Sequence, residues 1–333
     1  MAQKQIQIIP PFCEGNSFDG LTEKLCYNSY SKIEDFPQLI GRMLEIELTS
    51  KCQLNCNICP RLDIKNARGL GLMTKETMRA IVNKFLPNDI DSINICGIGE
   101  PMLHPKWFEF CGLIKEKSNA KLILSSNGIN FPDVTQLSNS IDRLEISYHL
   151  ADNIMDHVPF ESKHKSFTSK FKMFLHEFEK LDQKCEVSLG MVIHKESVAK
   201  VEMVQQMAQT LGVEFVTWRA WNRAGTIDQE LCKVSSDKVD FSINPSPHVC
   251  LEYGESIFID WLGQILPCCC DSSNMNIEGN VYTDNINSIR LKKAKRLSKE
   301  KPLFPMCLKC DSPKSNRNFI QTNYFKVYTE VFH

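Results

Sequence analysis

The chain has 333 residues, with 39 Lys and Arg against 40 Asp and Glu and a formal net charge of −1. At 42% hydrophobic and 24% charged residues, it has the make-up of a soluble globular protein with room for one large domain and a smaller one. No apolar run approaches the roughly 18 residues that cross a bilayer and the N-terminus has no cleavable signal pattern, so a cytoplasmic protein with no membrane and no nucleic-acid partner is expected.

Residues 1–41 read as an irregular lead-in punctuated by Pro10, Pro11, Gly15, Gly20 and Pro37. From Arg42 onward strands and helices alternate. Strands are predicted over Met43–Thr49, Ser92–Cys96, Lys121–Ser126, Arg143–His149, Glu186–His194 and Val213–Trp221. Between them helices are predicted over Thr74–Phe85, with Thr74 as N-cap, and over Lys106–Lys117, Val134–Ser138, Phe167–Leu181 and Val198–Leu211. Six strand–helix repeats point to a parallel sheet.

The strands alternate in polarity. One phase carries Leu44, Ile46, Ile93, Ile95, Leu144, Ile146, Leu189 and Met191; the other carries Glu45, Glu47, Asn94, Cys96, Glu145, Ser147, His149, Ser188, Thr217 and Arg219. Successive side chains on a strand face opposite sides. The apolar phase is expected under the helices and the polar phase in a wet interior. This favours an α/β fold of the partial (β/α)6, TIM-like barrel type over a closed eight-stranded barrel; an open doubly wound sheet is the alternative. After Gly225 the pattern stops. Ser256–Leu266 reads as a hairpin, and the basic run Arg290–Arg296 (RLKKAKR) as a solvated helix face. The predicted division is a lead-in over 1–41, a barrel over 42–225 and a small C-terminal domain over 226–333, organised by metal more than by a large core.

Fifteen cysteines without an export signal point to metal ligation, catalysis or small buried side chains, not to a disulfide framework. Cys52-Gln-Leu-Asn-Cys56-Asn-Ile-Cys59 follows the first strand directly, at the rim where barrel enzymes keep their chemistry. Three thiolates can hold three irons of a [4Fe–4S] cube and leave the fourth open, as a catalytic site requires. Zinc is the weaker alternative, because no fourth ligand lies nearby in sequence. The interleaved Asn55 and Asn57 speak against a plain apolar core.

This motif, its place after the first strand and the six repeats resemble the radical S-adenosylmethionine (SAM) superfamily over about Arg42–Gly225. The resemblance implies that SAM chelates the open iron, that an electron from the reduced cluster cleaves it, and that the resulting 5′-deoxyadenosyl radical takes a hydrogen atom from substrate; the cofactor supplies the chemistry and the protein the orientation. Gly97-Ile98-Gly99-Glu100-Pro101 resembles the family's Gly-Gly-Glu-Pro motif, which holds the SAM amino group, with Ile98 in place of a glycine. Ser125-Ser126-Asn127-Gly128 resembles its Thr-Asn-Gly. Ser147 matches a position beside the ribose and Ile58 one against the adenine. Trp218–Gly225 resembles the end of the family's sixth strand. An electron donor of the flavodoxin or ferredoxin type is implied.

Cys250, twelve residues, Gly263, four residues, Cys268 and then Cys307-Leu-Lys-Cys310 form a second set of four thiolates, enough to close a second [4Fe–4S] cluster. This resembles the shortened SPASM module called twitch. Zinc suits the same ligands, and Cys269 and Cys270 adjoin Cys268. The expected reaction is dehydrogenation or epimerisation of a polar, sugar- or cyclitol-like small molecule. Peptide crosslinking or residue inversion is the alternative, disfavoured by a lead-in shorter than a peptide-recognition domain. A non-catalytic scaffold is disfavoured by the intact Cys52, Cys56, Cys59 and Glu100. Epimerisation needs a thiol, for which Cys96 is the candidate, although it also reads as a small buried residue. Dehydrogenation needs a base, for which His149 and Arg219 are the candidates, both explicable as structural.

Overall fold

The computed structural model describes residues 40–61, 67–86, 89–137, 140–149, 159–182, 184–233, 250–297 and 303–312. The expected lead-in lies outside them except for Ile40 and Gly41. In chain order come β1 (Met43–Ile46), α1 (Lys75–Phe85), β2 (Ser92–Ile95), α2 (Trp107–Lys115), β3 (Lys121–Ser126), α3 (Val134–Leu137), β4 (Arg143–Ser147), α4 (Phe160–Phe178), β5 (Glu186–Ile193), α5 (Val201–Leu211) and β6 (Glu214–Arg219). Then follow α6 (Gln229–Cys232), α7 (Leu251–Glu255), β7 (Ser256–Ile259), β8 (Gln264–Leu266), β9 (Gly279–Asn280) and α8 (Ile286–Leu297).

Local chemistry fixes these elements. The Thr74 hydroxyl caps α1 by accepting from Thr77 N–H at 3.1 Å, and Met78, Ile81, Val82 and Phe85 form its buried stripe. Helix α4 begins at Phe160, seven residues before the predicted start: Pro159 sets its entry, and Tyr148 Oη lies 2.7 Å from His164 Nδ1 in its second turn. Those first residues, FESKHKS, are mostly polar, so the apolar period shows only from Phe167 onward. There Phe167, Phe171, Phe174 and Phe178 are buried, and Phe131 packs against the first three of them.

The sheet has nine strands in the order β6-β5-β4-β3-β2-β1-β7-β8-β9. The run from β6 to β7 is parallel, and β7–β8–β9 is antiparallel. The expected hairpin forms, and its first strand joins the barrel sheet. Met43–Ile46 pairs with Ser256–Ile259, which satisfies backbone groups that an edge strand would leave open. Leu44, Ile46, Ile93, Ile95, Leu144, Ile146, Leu189 and Met191 enter one core with the buried helix faces, as the alternation predicted. The fold is a parallel-dominated α/β partial barrel.

Two expectations are corrected. On β6 the register pairs Gly190 with Val216, Val192 with Trp218 and Ile193 with Arg219. Thr217 and Arg219 therefore share the phase of the core residues, and Trp218 takes the lumen side. Gly190 makes the room: a Cβ there would meet the Trp218 ring at 2.2 Å. The basic run is a solvated face only in part: Lys292 and Lys295 are exposed, but Arg290 is 2% exposed and Lys293 0%. Arg290 reaches Asp89 at 2.7 Å and the Gly41 carbonyl at 3.3 Å. Among the described residues no helix is long and apolar enough to cross a membrane.

Candidate active site

At the C-terminal ends of the strands lies a cavity of about 240 Å³. Cys52, Cys56, Cys59 and Ile58 line it from the loop after β1, and Cys96, Gly97, Ile98, Gly99 and Glu100 from the loop after β2. Ser125, Asn127, Ser147 and His149 line it from β3 and β4. Arg219, expected as a base, is not among the lining residues; its guanidinium lies 3.5 Å from Asp311. The cavity's guanidinium is Arg223, and Glu45, Glu145, Trp221 and Cys269 also line the cavity. Glu45 and Glu145 stood in the polar phase of the sequence without being singled out. For Trp221, Arg223 and Cys269 the sequence carries no positional signal beyond their segments.

The loop after β2 is shaped by close packing. Gly97 has φ 123°, and a Cβ on it would lie 2.7 Å from Glu47 Cγ; a Cβ on Gly99 would lie 2.0 Å from the Thr49 carbonyl oxygen. Only glycine fits either place. Ile98, the departure from two successive glycines, donates its N–H to Glu47 Oε2 at 3.0 Å, so this donor is committed to the protein. Glu47 also pairs with Arg68 at 2.9 Å, and Arg68 reaches Asp260 at 3.3 Å. The Glu100 carboxylate accepts from Asn127 N–H at 2.7 Å and Met102 N–H at 3.2 Å. Burial raises its pKa above 4.5, a penalty that an ammonium ligand would relieve. Asn127 in turn places Nδ2 3.6 Å from Cys52 Sγ.

Burial raises the pKa of Cys52 and of Cys59. Thiols so placed lose their protons to a bound metal. Cys52, Cys56 and Cys59 in one cavity, beside a carboxylate suited to an amine, fit an iron–sulfur cluster with one open iron. Cys96 is held well above the ordinary thiol range by burial and by Glu45, Glu47 and Glu145, and so keeps its S–H.

A second cavity, of about 30 Å³, is lined by Cys250, Cys268, Cys270, Cys307 and Cys310. It is too small for an organic substrate, and its soft donor set suits iron or zinc. Burial pushes Cys250 up to about 12 and Cys307 up to about 11. Cys270 shifts downward because the thiols of Cys268, Cys269 and Cys310 donate to it. Trp221 Nε1 lies 3.3 Å from Cys270 Sγ. Along Cys268–Cys270 the outer two side chains face the small cavity and the middle one the large.

The two cavities are stitched together by the turn after β6. Arg223, Ala224 and Gly225 have φ of 43°, 59° and 89°, a costly conformation for the first two. Asn222 holds this turn to the Cys307–Cys310 segment: its N–H donates to Asp311 at 2.7 Å and its Nδ2 to the Lys309 carbonyl at 2.8 Å.

The sequence profile of the Radical SAM superfamily matches residues 46–208, and that of an iron–sulfur cluster-binding domain, SPASM, matches residues 250–311. No curated protein matches the chain. Among solved structures it is similar to anSMEcpe with bound AdoMet and Cp18Cys peptide (15% identity, 87% of this chain and 96% of that one, TM-score 0.55). It is also similar to BtrN in complex with AdoMet and 2-DOIA (18%, 82% and 93%, 0.52), and to SuiB of Streptococcus suis bound to the precursor peptide SuiA (14%, 85% and 73%, 0.54). At these identities the likeness is one of fold. The chain belongs to the radical SAM superfamily, with an iron–sulfur cluster-binding domain of the SPASM family near its C-terminal end, and its cofactors are S-adenosylmethionine and [4Fe–4S] clusters.

Proposed function

We propose that the chain oxidises a polar, hydroxyl-bearing small molecule of the sugar or cyclitol class by radical-initiated dehydrogenation. Cys52, Cys56 and Cys59 would hold the cluster that binds SAM, with Ile58, Gly97, Ile98, Gly99, Glu100, Ser125, Asn127 and Ser147 around SAM. Cys250, Cys268, Cys307 and Cys310 would hold the second cluster. The first cluster, when reduced, would with SAM supply hydrogen-atom abstraction, and the second, when oxidised, would supply a place for the electron released. The observation that carries the reading is the lumen itself. Beyond the side chains placed around SAM, it presents Glu45, Glu145 and His149 to the same space, polar groups to hold the hydroxyls of a polyol and bases to take its proton. That space adjoins the small thiol cavity through Cys269 and Trp221. BtrN, whose structure contains 2-DOIA, shares the fold.

Epimerisation is the second reading, favoured by two lumen thiols, Cys96 and Cys269. The Cys269 sulfur lies within 4.8 Å of carboxylate oxygens of Glu45 and Glu252; after it gives up a hydrogen atom, one electron from the second cluster would reduce the thiyl radical to the thiolate and a protonated carboxyl would return the proton. Peptide modification is the competing substrate class, since SuiB and anSMEcpe share the fold with peptides bound. We place the protein in a reducing cytoplasm with a flavodoxin- or ferredoxin-type electron donor. Mass spectrometry of products from an anaerobic turnover in heavy water separates the outcomes. Dehydrogenation gives a product about two mass units lighter than substrate, with no solvent deuterium at the reacting carbon. A product of unchanged mass in ordinary water, carrying one deuterium in heavy water, would overturn it in favour of epimerisation.

A further inference from the structure

Helix α8 turns a basic stripe inward. Lys293, with a side chain 0% exposed, donates from Nζ to the Tyr253 carbonyl at 3.0 Å and to the Pro267 carbonyl at 3.0 Å. Tyr253 stands three residues after Cys250, and Pro267 immediately precedes Cys268. One ammonium thus gathers the two segments that bring half of the second thiol set. It also lies 3.9 Å over the Tyr253 ring and 3.6 Å from Glu278. Glu278, 3% exposed, accepts from Tyr253 Oη at 2.6 Å and sits 3.5 Å from Arg296. A buried ammonium is costly, and an apolar side chain of equal length would fill the space without that cost. What lysine adds here is donors and a positive charge beside sulfur ligands.

We infer that Lys293 is a positioning residue that sets the reduction potential of the auxiliary cluster and draws its two N-terminal ligand segments together. This rests on reading Cys250, Cys268, Cys307 and Cys310 as cluster ligands. A four-thiolate cluster is anionic and gains a further negative charge on reduction, so a nearby cation favours the reduced form and a nearby carboxylate opposes it; net charge and hydrogen bonding are recognised determinants of cluster potential. Lys293 and Glu278 therefore pull in opposite directions, which gives the idea two arms.

The test uses the full chain with Cys52, Cys56 and Cys59 replaced by Ala, reconstituted anaerobically so that only the auxiliary cluster remains. Iron content and a redox titration followed by electron paramagnetic resonance are the readouts. Lys293→Met should retain iron and shift the midpoint to more negative potential, Lys293→Arg should leave it in place, and Glu278→Gln should shift it to more positive potential. An unchanged midpoint in the Met and Gln variants at full iron content overturns the inference. If Lys293→Met cannot hold iron, Glu278→Gln decides: a positive shift supports the inference and no shift overturns it. Stoichiometric zinc without iron in the parent triple variant would instead remove the auxiliary-cluster reading, and this inference with it.

Discussion

The Glu100 carboxylate is pinned by two backbone N–H groups and buried to 3% exposure, so its orientation is set before any ligand arrives. Burial raises its pKa above 4.5, so the neutral acid is favoured in the free protein relative to water. On the proposed assignment of Glu100 to the SAM ammonium, pairing requires the carboxylate, and the ligand would pull that pKa back down. SAM affinity should therefore fall as pH drops through the raised pKa and should be fully present above it. Glu100→Gln should lose a charge-assisted hydrogen bond of roughly 1.5–3 kcal/mol, or about 10- to 150-fold in affinity, and should lose this pH dependence. Equilibrium binding of SAM at several pH values checks both, with iron content unchanged as the control. That Glu100 and the three cysteines would meet in one cavity was legible in the sequence because the pattern is local, compressed into C-x3-C-x2-C and G-x-G-E. Cys269 was not, because which neighbour faces which cavity depends on a chain path that three adjacent cysteines do not encode.

At the scale of elements, the sheet and helices followed from alternation and capping, and the failures share one cause. Thr217 and Arg219 read as lumen-facing because polar residues alternate on β6, but the register with β5 decides the face, and Gly190 opens the lumen to Trp218. Arg290 and Lys293 of the run RLKKAKR read as solvated with their neighbours because their charge is visible and their acceptors are not. Asp89, Tyr253, Pro267 and Glu278 are distant in sequence. The loop after β2 offers a sharp test of shape. Gly99→Ala would place a Cβ 2.0 Å from the Thr49 carbonyl oxygen. Backbone must move, at a cost of about 1–3 kcal/mol, and SAM binding should be lost with the loop's shape. Gly112→Ala in α2, with open space around the new Cβ, should instead stabilise by about 0.5–1 kcal/mol. Thermal denaturation and SAM binding of the two variants side by side check the contrast.

Over the whole molecule, β1 is the centre of the architecture: it pairs with β2 on one side and β7 on the other, so the strand that leads into the loop after β2 and the C-terminal hairpin share one neighbour. Arg68 joins them electrostatically. Its side chain is 3% exposed between Glu47 and Asp260, both at 0%. Glu47 fixes the Ile98 N–H, and Asp260 fixes the hairpin turn by accepting from Leu262 N–H at 2.9 Å and Gln264 N–H at 2.8 Å. Burial raises the pKa of both carboxyls, from 4.5 for Glu47 and 3.8 for Asp260, and Arg68 opposes that rise. Arg68→Met removes the opposition and pushes both higher. An acid whose folded pKa exceeds its unfolded one is favoured folded while protonated, so the variant keeps most stability below the ordinary carboxylate values. It loses stability as pH rises through the raised ones, reaching a deficit of roughly 3–5 kcal/mol where both would have to ionise unpaired. The melting temperature of Arg68→Met should therefore fall further behind the parent as pH increases from acid toward neutral, and SAM affinity should decline alongside it because the Ile98 contact loosens. A deficit constant across that pH range would show that Arg68 acts through packing of its stem and not through its charge.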